Sequence, residues 1–173
     1  MNNISAESEF YTLYERNVET VYQIAFMHFK NKSDAEDAVQ NIFLKVYDTK
    51  PVFENERHEK AWFIVAARNH CRDVMRTWWF RRRADDETEL MYSQYETEEE
   101  GEITRVLMNL PAKYRELLYL YYYKEYSVKE IADMLDMNES TLRTQLSRAR
   151  DKMKKYLEKE DEDFGQKRYF ESV

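Results

Sequence analysis

From Arg143 to Lys155 the chain sets Arg143, Arg148, Arg150, Lys152, Lys154 and Lys155 against the single acid Asp151. Thr144, Gln145 and Ser147 are interleaved with them. These side-chain types suit nucleic acid. Arginine can grip a guanine edge with two hydrogen bonds, glutamine can do the same to adenine, and short hydroxyls bond phosphate or base. Leu142, Leu146, Ala149 and Met153 recur at helical spacing and define the buried side. That leaves Arg143, Thr144, Gln145, Ser147, Arg148 and Arg150 on or near the exposed side. The lysines extend the positive stripe for phosphate contact.

A stripe of this kind works only if something holds its helix out. Just upstream, Ser127-Val128-Lys129-Glu130 reads as a capping box that opens a short helix. Ile131, Met134 and Leu135 face inward there, and Ala132 is small enough for a close helix crossing. Asp136 to Asn138 makes the turn, and Asn138 can cap the basic helix, which runs to about Leu157. This is the helix-turn-helix plan, whose second helix enters the major groove. An ordinary helical hairpin with a solvated basic face would share the stripe. Two caps and a short turn favour DNA.

A second patch, RDVMRTWWFRRR (72–83), interleaves arginines with Trp78, Trp79 and Phe80. Aromatic faces can stack on unpaired bases while arginines hold the backbone. The same pattern fits core aromatics at a solvated helix end. The preceding polar stretch 55–60 reads as a loop that could hold an extruded base. Metal chemistry has little support. His70 and Cys71 are adjacent and diverge by about 100° on a helix, His58 is remote from them, and no CxxC or HExxH spacing occurs. No phosphate-cradling glycine loop and no catalytic triad spacing are present, so neither cofactor nor small-molecule substrate is expected.

The remaining elements are helical too. With two glycines and two prolines in 173 residues, hairpin chemistry is scarce, and helix formers abound. The chain is expected to be all-α. Phe10, Tyr14, Val21, Ala25 and Phe29, with Val18 alongside, fall at helical spacing. Asn31-Lys32 breaks that pattern, and Ser33-Asp34-Ala35-Glu36 reads as a capping box before an apolar stripe of Val39, Ile42, Phe43, Val46 and Tyr47. Pro51 closes this helix. Another is expected from Ala61, with Trp62, Val65, Ala66, Val74 and Trp78 on or near its inner face. Pro111 sits in the first turn of a later helix whose apolar side is Leu117, Leu118, Tyr121 and Tyr122.

Between these helical groups lies an acidic stretch: Asp85, Asp86, Glu87, Glu89, Glu96, Glu98, Glu99, Glu100 and Glu102, with no lysine or arginine between 85 and 102. Like charges without periodicity make a solvated linker. The expected organisation is a first domain at 8–80, a linker at 81–102, a second domain at 103–157 and a polar tail at 158–173. The net charge is −7, so an acidic sum conceals a basic helix. One cysteine excludes an internal disulfide and points to a reducing compartment. No signal peptide and no membrane-length apolar run are visible, so a cytoplasmic location is expected.

Three stretches, in this order, resemble the extracytoplasmic-function group of bacterial RNA polymerase sigma factors. SDAEDAVQNIFLKVY (33–47) resembles region 2.2. AWFIVAARNHCRDVMR (61–76) resembles regions 2.3 to 2.4. The stretch from Leu110 to Leu157, with YSVKEIADMLDMNESTLRTQLSRAR at its centre, resembles region 4 and is the most specific. The resemblance spans Phe10 to Leu157. It implies a region 2 helical bundle that docks on the clamp helices of core RNA polymerase and melts the −10 element. It also implies a region 4 helix-turn-helix that binds the −35 element as duplex. Asp37, Gln40 and Asn41 would face polymerase, Asn41 standing where the family commonly has Glu. The loop 55–60, beginning at Asn55, would capture a flipped −10 base. Arg68, Asn69, Arg72 and Arg76 would lie near the non-template strand. Arg143, Thr144, Ser147 and Arg148 would face −35 bases or phosphates. The linker would thread the active-site cleft, its carboxylates imitating nucleic-acid charge. The partners implied are core polymerase, promoter DNA and an anti-sigma factor.

Two other functions compete. A free-standing helix-turn-helix regulator would need neither the first domain nor its Trp/Arg patch, and would usually dimerise, yet no sustained heptads occur. A recombinase-like enzyme would need a nucleophile or ordered metal-binding carboxylates.

Overall fold

A computed structural model describes residues 3–84 and 102–171, with side chains for 8–78 and 106–159. The linker carboxylates at 85–100 and the side chains of Trp79 and Phe80 lie outside the described residues. Regular structure among the described residues is entirely helical. No helix there is long and apolar enough to cross a membrane. The chain divides into two compact units, 1–94 and 95–173.

The first unit holds α1 (Asn3–Phe29), α2 (Lys32–Thr49) and α3 (Glu56–Ala84), each packed on the other two. Val21, Ile24, Ala25, Ile42, Phe43, Val46, Phe63, Ile64 and Ala67 form its core. The start of α2 differs from the expected capping box. Lys30 takes a left-handed conformation with φ 59°, which lets Asn31 serve as the cap, its Oδ1 accepting from Asp34 N at 2.8 Å. Ser33 is therefore already inside the helix. At the other end Lys50, at φ 45°, donates to Val46 O, and Pro51 follows.

The third helix departs more. Asn55 Oδ1 accepts from His58 N at 2.9 Å, so the helix begins at Glu56 and most of the expected loop is its first turn. The reason lies on α1. Glu59 is buried, accepting from Arg16 at 2.7 Å and from Asn17 at 2.6 Å, and Asn17 also donates to Leu13 O. This carboxylate pins the turn to α1. The inner face of α3 is likewise shifted by one position. Phe63, Ile64, Ala67 and Cys71 are buried, whereas Trp62, Val65, Ala66 and Val74 are half-buried and Trp78 is exposed.

The second unit holds α4 (Glu102–Asn109), α5 (Ala112–Leu118), a π-helical turn (Tyr119–Tyr123), α6 (Val128–Met134) and α7 (Glu139–Glu171). Helices α4, α5 and α6 all pack on α7. Pro111 is the cap of α5 rather than its first helical residue. Buried Arg115 donates to Met108 O at 2.8 Å and Leu110 O at 2.6 Å, satisfying carbonyls at the end of α4. In the π-turn Lys124 N bonds Tyr119 O, five residues back. That extra residue rotates the register, so Tyr119 and Leu120 are buried while Tyr122 is exposed, contrary to the simple helical expectation.

Helix α6 opens on the expected capping box: Ser127 Oγ accepts from Glu130 N, and Glu130 Oε2 accepts from Ser127 N at 2.7 Å. Asp136, at φ 51°, turns the chain, with Met137 N bonding Ala132 O. Asn138 Oδ1 accepts from Ser140 N at 2.8 Å to start α7. Leu142, Leu146 and Ala149 are fully buried against the other helices. The helix runs to Glu171, past the expected end at Leu157, because the intervening residues contain no proline and are mostly good helix formers.

Candidate nucleic-acid interface

The exposed side of α7 carries two adjoining rows. With 3.6 residues per turn, Arg143, Ser147 and Arg150 fall in one row, and Thr144 and Arg148 in the next. All five are exposed, while Gln145 is half-buried at the edge. Arg143 is partly engaged by Glu139, with Nη2 and Oε2 3.1 Å apart on one helix face. Thr144 Oγ1 donates to Ser140 O at 2.9 Å, which leaves its oxygen free to accept. Arg150 lies over the rings of Tyr121 and Tyr122. The short α6 and its left-handed turn set the angle at which this face leaves the unit.

In the first unit, Asn69, Arg72 and Arg76 are exposed along α3, and Arg68 is half-buried beside them. Arg76 pairs with Asp73 at 3.1 Å. His70 shares this stretch, and burial lowers its pKa below the usual 6.5; Lys45 acts in the same direction and Asp73 opposes both. Asn55 is exposed at the N-terminus of α3, where its Oδ1 accepts the cap bond from His58 N and its Nδ2 has no acceptor among the described residues. Phe53 packs against His58, Trp62 and Phe63 beneath it.

Asp37, Gln40 and Asn41 are exposed together on α2, with Asn41 Nδ2 donating to Asp37 O at 2.8 Å. Beside Gln40 runs an apolar groove between α1 and α2, lined by Phe10, Tyr14, Phe43, Leu44 and Tyr47. Leu44 is 61% exposed and Tyr47 59%. Tyr47, expected on the buried stripe of α2, is thus exposed, and Leu44 lies off that stripe. An apolar residue off the helical stripe was the available signal. Among the described residues no group of three His, Cys, Asp or Glu could hold a metal ion.

Comparison with known proteins matches this geometry to a family. The family model for sigma-70 region 2 matches residues 13–84, and that for sigma-70, region 4 matches residues 100–153. RNA polymerase sigma factor SigV of Bacillus subtilis (strain 168) is 30% identical over 142 residues, covering 81% of this chain and 86% of the relative. ECF RNA polymerase sigma factor SigM of the same organism is 27% identical, covering 82% and 91%. The chain belongs to the ECF group of RNA polymerase sigma factors. The fold agrees. Sigma factor RpoE of Bartonella quintana, solved in complex with the anti-sigma factor NepR, superimposes with a TM-score of 0.70 at 22% identity, over 87% of this sigma factor and 97% of that chain. As a sigma factor, the protein is a promoter-selecting subunit of RNA polymerase, not an enzyme in its own right.

Proposed function

We propose that this sigma factor divides promoter recognition between its two units. The second unit reads the −35 element as duplex through Arg143, Thr144, Gln145, Ser147, Arg148 and Arg150. The first unit holds core polymerase with Asp37, Gln40 and Asn41 of α2, and its α3 residues Arg68, Asn69, Arg72 and Arg76 follow the separated −10 strand from Asn55 onward. The observation that carries the reading is the α7 face: two rows of arginines and hydroxyls, exposed directly above a fully buried Leu142, Leu146 and Ala149 stripe. The acidic sum is compatible with it, because core polymerase supplies most of the nonspecific attraction for DNA. The linker carboxylates then occupy basic polymerase channels. Control by an anti-sigma factor in the cytoplasm is part of the reading, supported by the NepR complex of the Bartonella relative.

The test is run-off transcription with bacterial core polymerase on sheared DNA of the protein's own source. Discrete transcripts that require the protein are expected, with starts that share upstream elements. Tight operator binding by the protein alone, without such transcripts, would instead indicate a free-standing regulator.

A further inference from the structure

Arg150 follows Arg143 by seven residues, which returns it to the same row of α7 about 10 Å along the axis. The two arginines are held differently. Arg143 meets a carboxylate, whereas Arg150 has its Cζ 5.5 Å from the ring centre of Tyr121 and 5.7 Å from that of Tyr122. The two rings pack edge to face, 4.9 Å apart at 83°. Among the described residues no carboxylate pairs with Arg150. Arg150 remains exposed, as does Tyr122, and Tyr121 is half-buried.

A guanidinium makes no hydrogen bonds through its flat face. Its N–H donors lie in the plane and fan outward. With the two rings 83° apart the flat face can lie along one of them at most, and contact at this one corner leaves the donors on the far side open to a phosphate oxygen. Contact with two rings also restricts a rotamer-rich side chain before any ligand arrives, which lessens the ordering required on binding. The π-turn is what brings the rings there. A regular continuation of α5 would place Tyr121 and Tyr122 on the apolar side with Leu117 and Leu118. We infer that Tyr121 and Tyr122 are positioning residues that hold Arg150 as a preformed clamp for a backbone phosphate of duplex DNA, an inference that rests on reading α7 as the −35 helix.

The experiment uses holoenzyme assembled from the full chain and core polymerase, on the duplex promoter that run-off transcription identifies. The binding constant is measured across a series of salt concentrations. Arg150→Ala is expected to lower the slope of log K against log salt by about one, as for one lost phosphate contact. Tyr121→Leu with Tyr122→Leu keeps that charge, and is expected to weaken binding about three- to fivefold with the slope retained. In the Arg150→Ala background the same tyrosine changes should add nothing. Tyr121→Phe with Tyr122→Phe keeps both rings and should bind more tightly than the leucine pair. Equal losses from the leucine pair with and without Arg150 would make the tyrosines mere packing and overturn the inference. An unchanged slope for Arg150→Ala, while Arg148→Ala lowers it, would overturn the clamp and leave the −35 reading standing. Unchanged slopes for both would overturn both.

Discussion

Arg143 sits at the start of the exposed row, where a recognition helix presents side chains to bases. Its ion pair with Glu139 is solvent-exposed on both sides, and such pairs are weak. The guanidinium can therefore leave it for a guanine edge. Arg143→Ala is expected to reduce promoter affinity by about 1–3 kcal/mol, and to relax selectivity at one −35 position. Transcription from a set of single-base promoter variants checks this; an unaltered preference would remove Arg143 from base reading. These exposed residues were legible in the sequence because Leu142, Leu146 and Ala149 mark the buried side by spacing alone. Glu59 was not legible. Its partners Asn17 and Arg16 lie 42 and 43 positions away, and a carboxylate in a polar run looks solvated until the tertiary fold is known. Glu59→Ala leaves the buried Asn17 amide with one acceptor fewer. A loss of about 1–3 kcal/mol in stability is expected, measured by urea unfolding of the full chain. A smaller effect than that of Ser8→Ala, at an exposed site on α1, would deny the network a structural role.

At the scale of elements, signals that complete themselves within a few residues were readable. The Ser127 and Glu130 pair is such a signal, and it forms both of its hydrogen bonds. Ser127→Ala is expected to cost about 1 kcal/mol, by loss of one cap bond. Loss of helical signal on heating should come several degrees earlier, and Ser127→Asp should restore most of it. Equal melting of wild type and Ser127→Ala would show the cap to be energetically idle. The start of α2 was harder, because Asn31 and Ser33 are both good caps and only the left-handed turn at Lys30 chooses between them. The π-turn had no local signature. YLYYY satisfies a regular helix as well as a wide one, and only packing against α6 decides which tyrosines are covered.

Across the whole molecule, the exposed basic row and the exposed apolar groove fall on different units. The basic row belongs to α7, while the exposed apolar groove beside Gln40 belongs to α1 and α2. The net charge could not reveal this, since it sums over both units and the acidic stretch between their helices. Helical periodicity did reveal both bundles, and the order of three motifs carried the family. The groove escaped notice because Leu44 lies off the stripe that periodicity selects. Exposed large apolar side chains beside polar ones mark a surface that a partner covers. If that partner is core polymerase, a charge placed in the groove should act on one task alone. Leu44→Glu is expected to weaken core binding at least about tenfold, because a buried carboxylate would face an apolar partner surface. Its unfolding midpoint should match wild type, since Leu44 is 61% exposed in the free protein. Titration of labelled full-length protein with core polymerase measures the first quantity, and urea unfolding the second. Arg148→Ala should do the reverse, binding core normally and losing promoter affinity. If Leu44→Glu binds core as tightly as wild type, polymerase docks elsewhere on the first unit, and the groove must serve another partner.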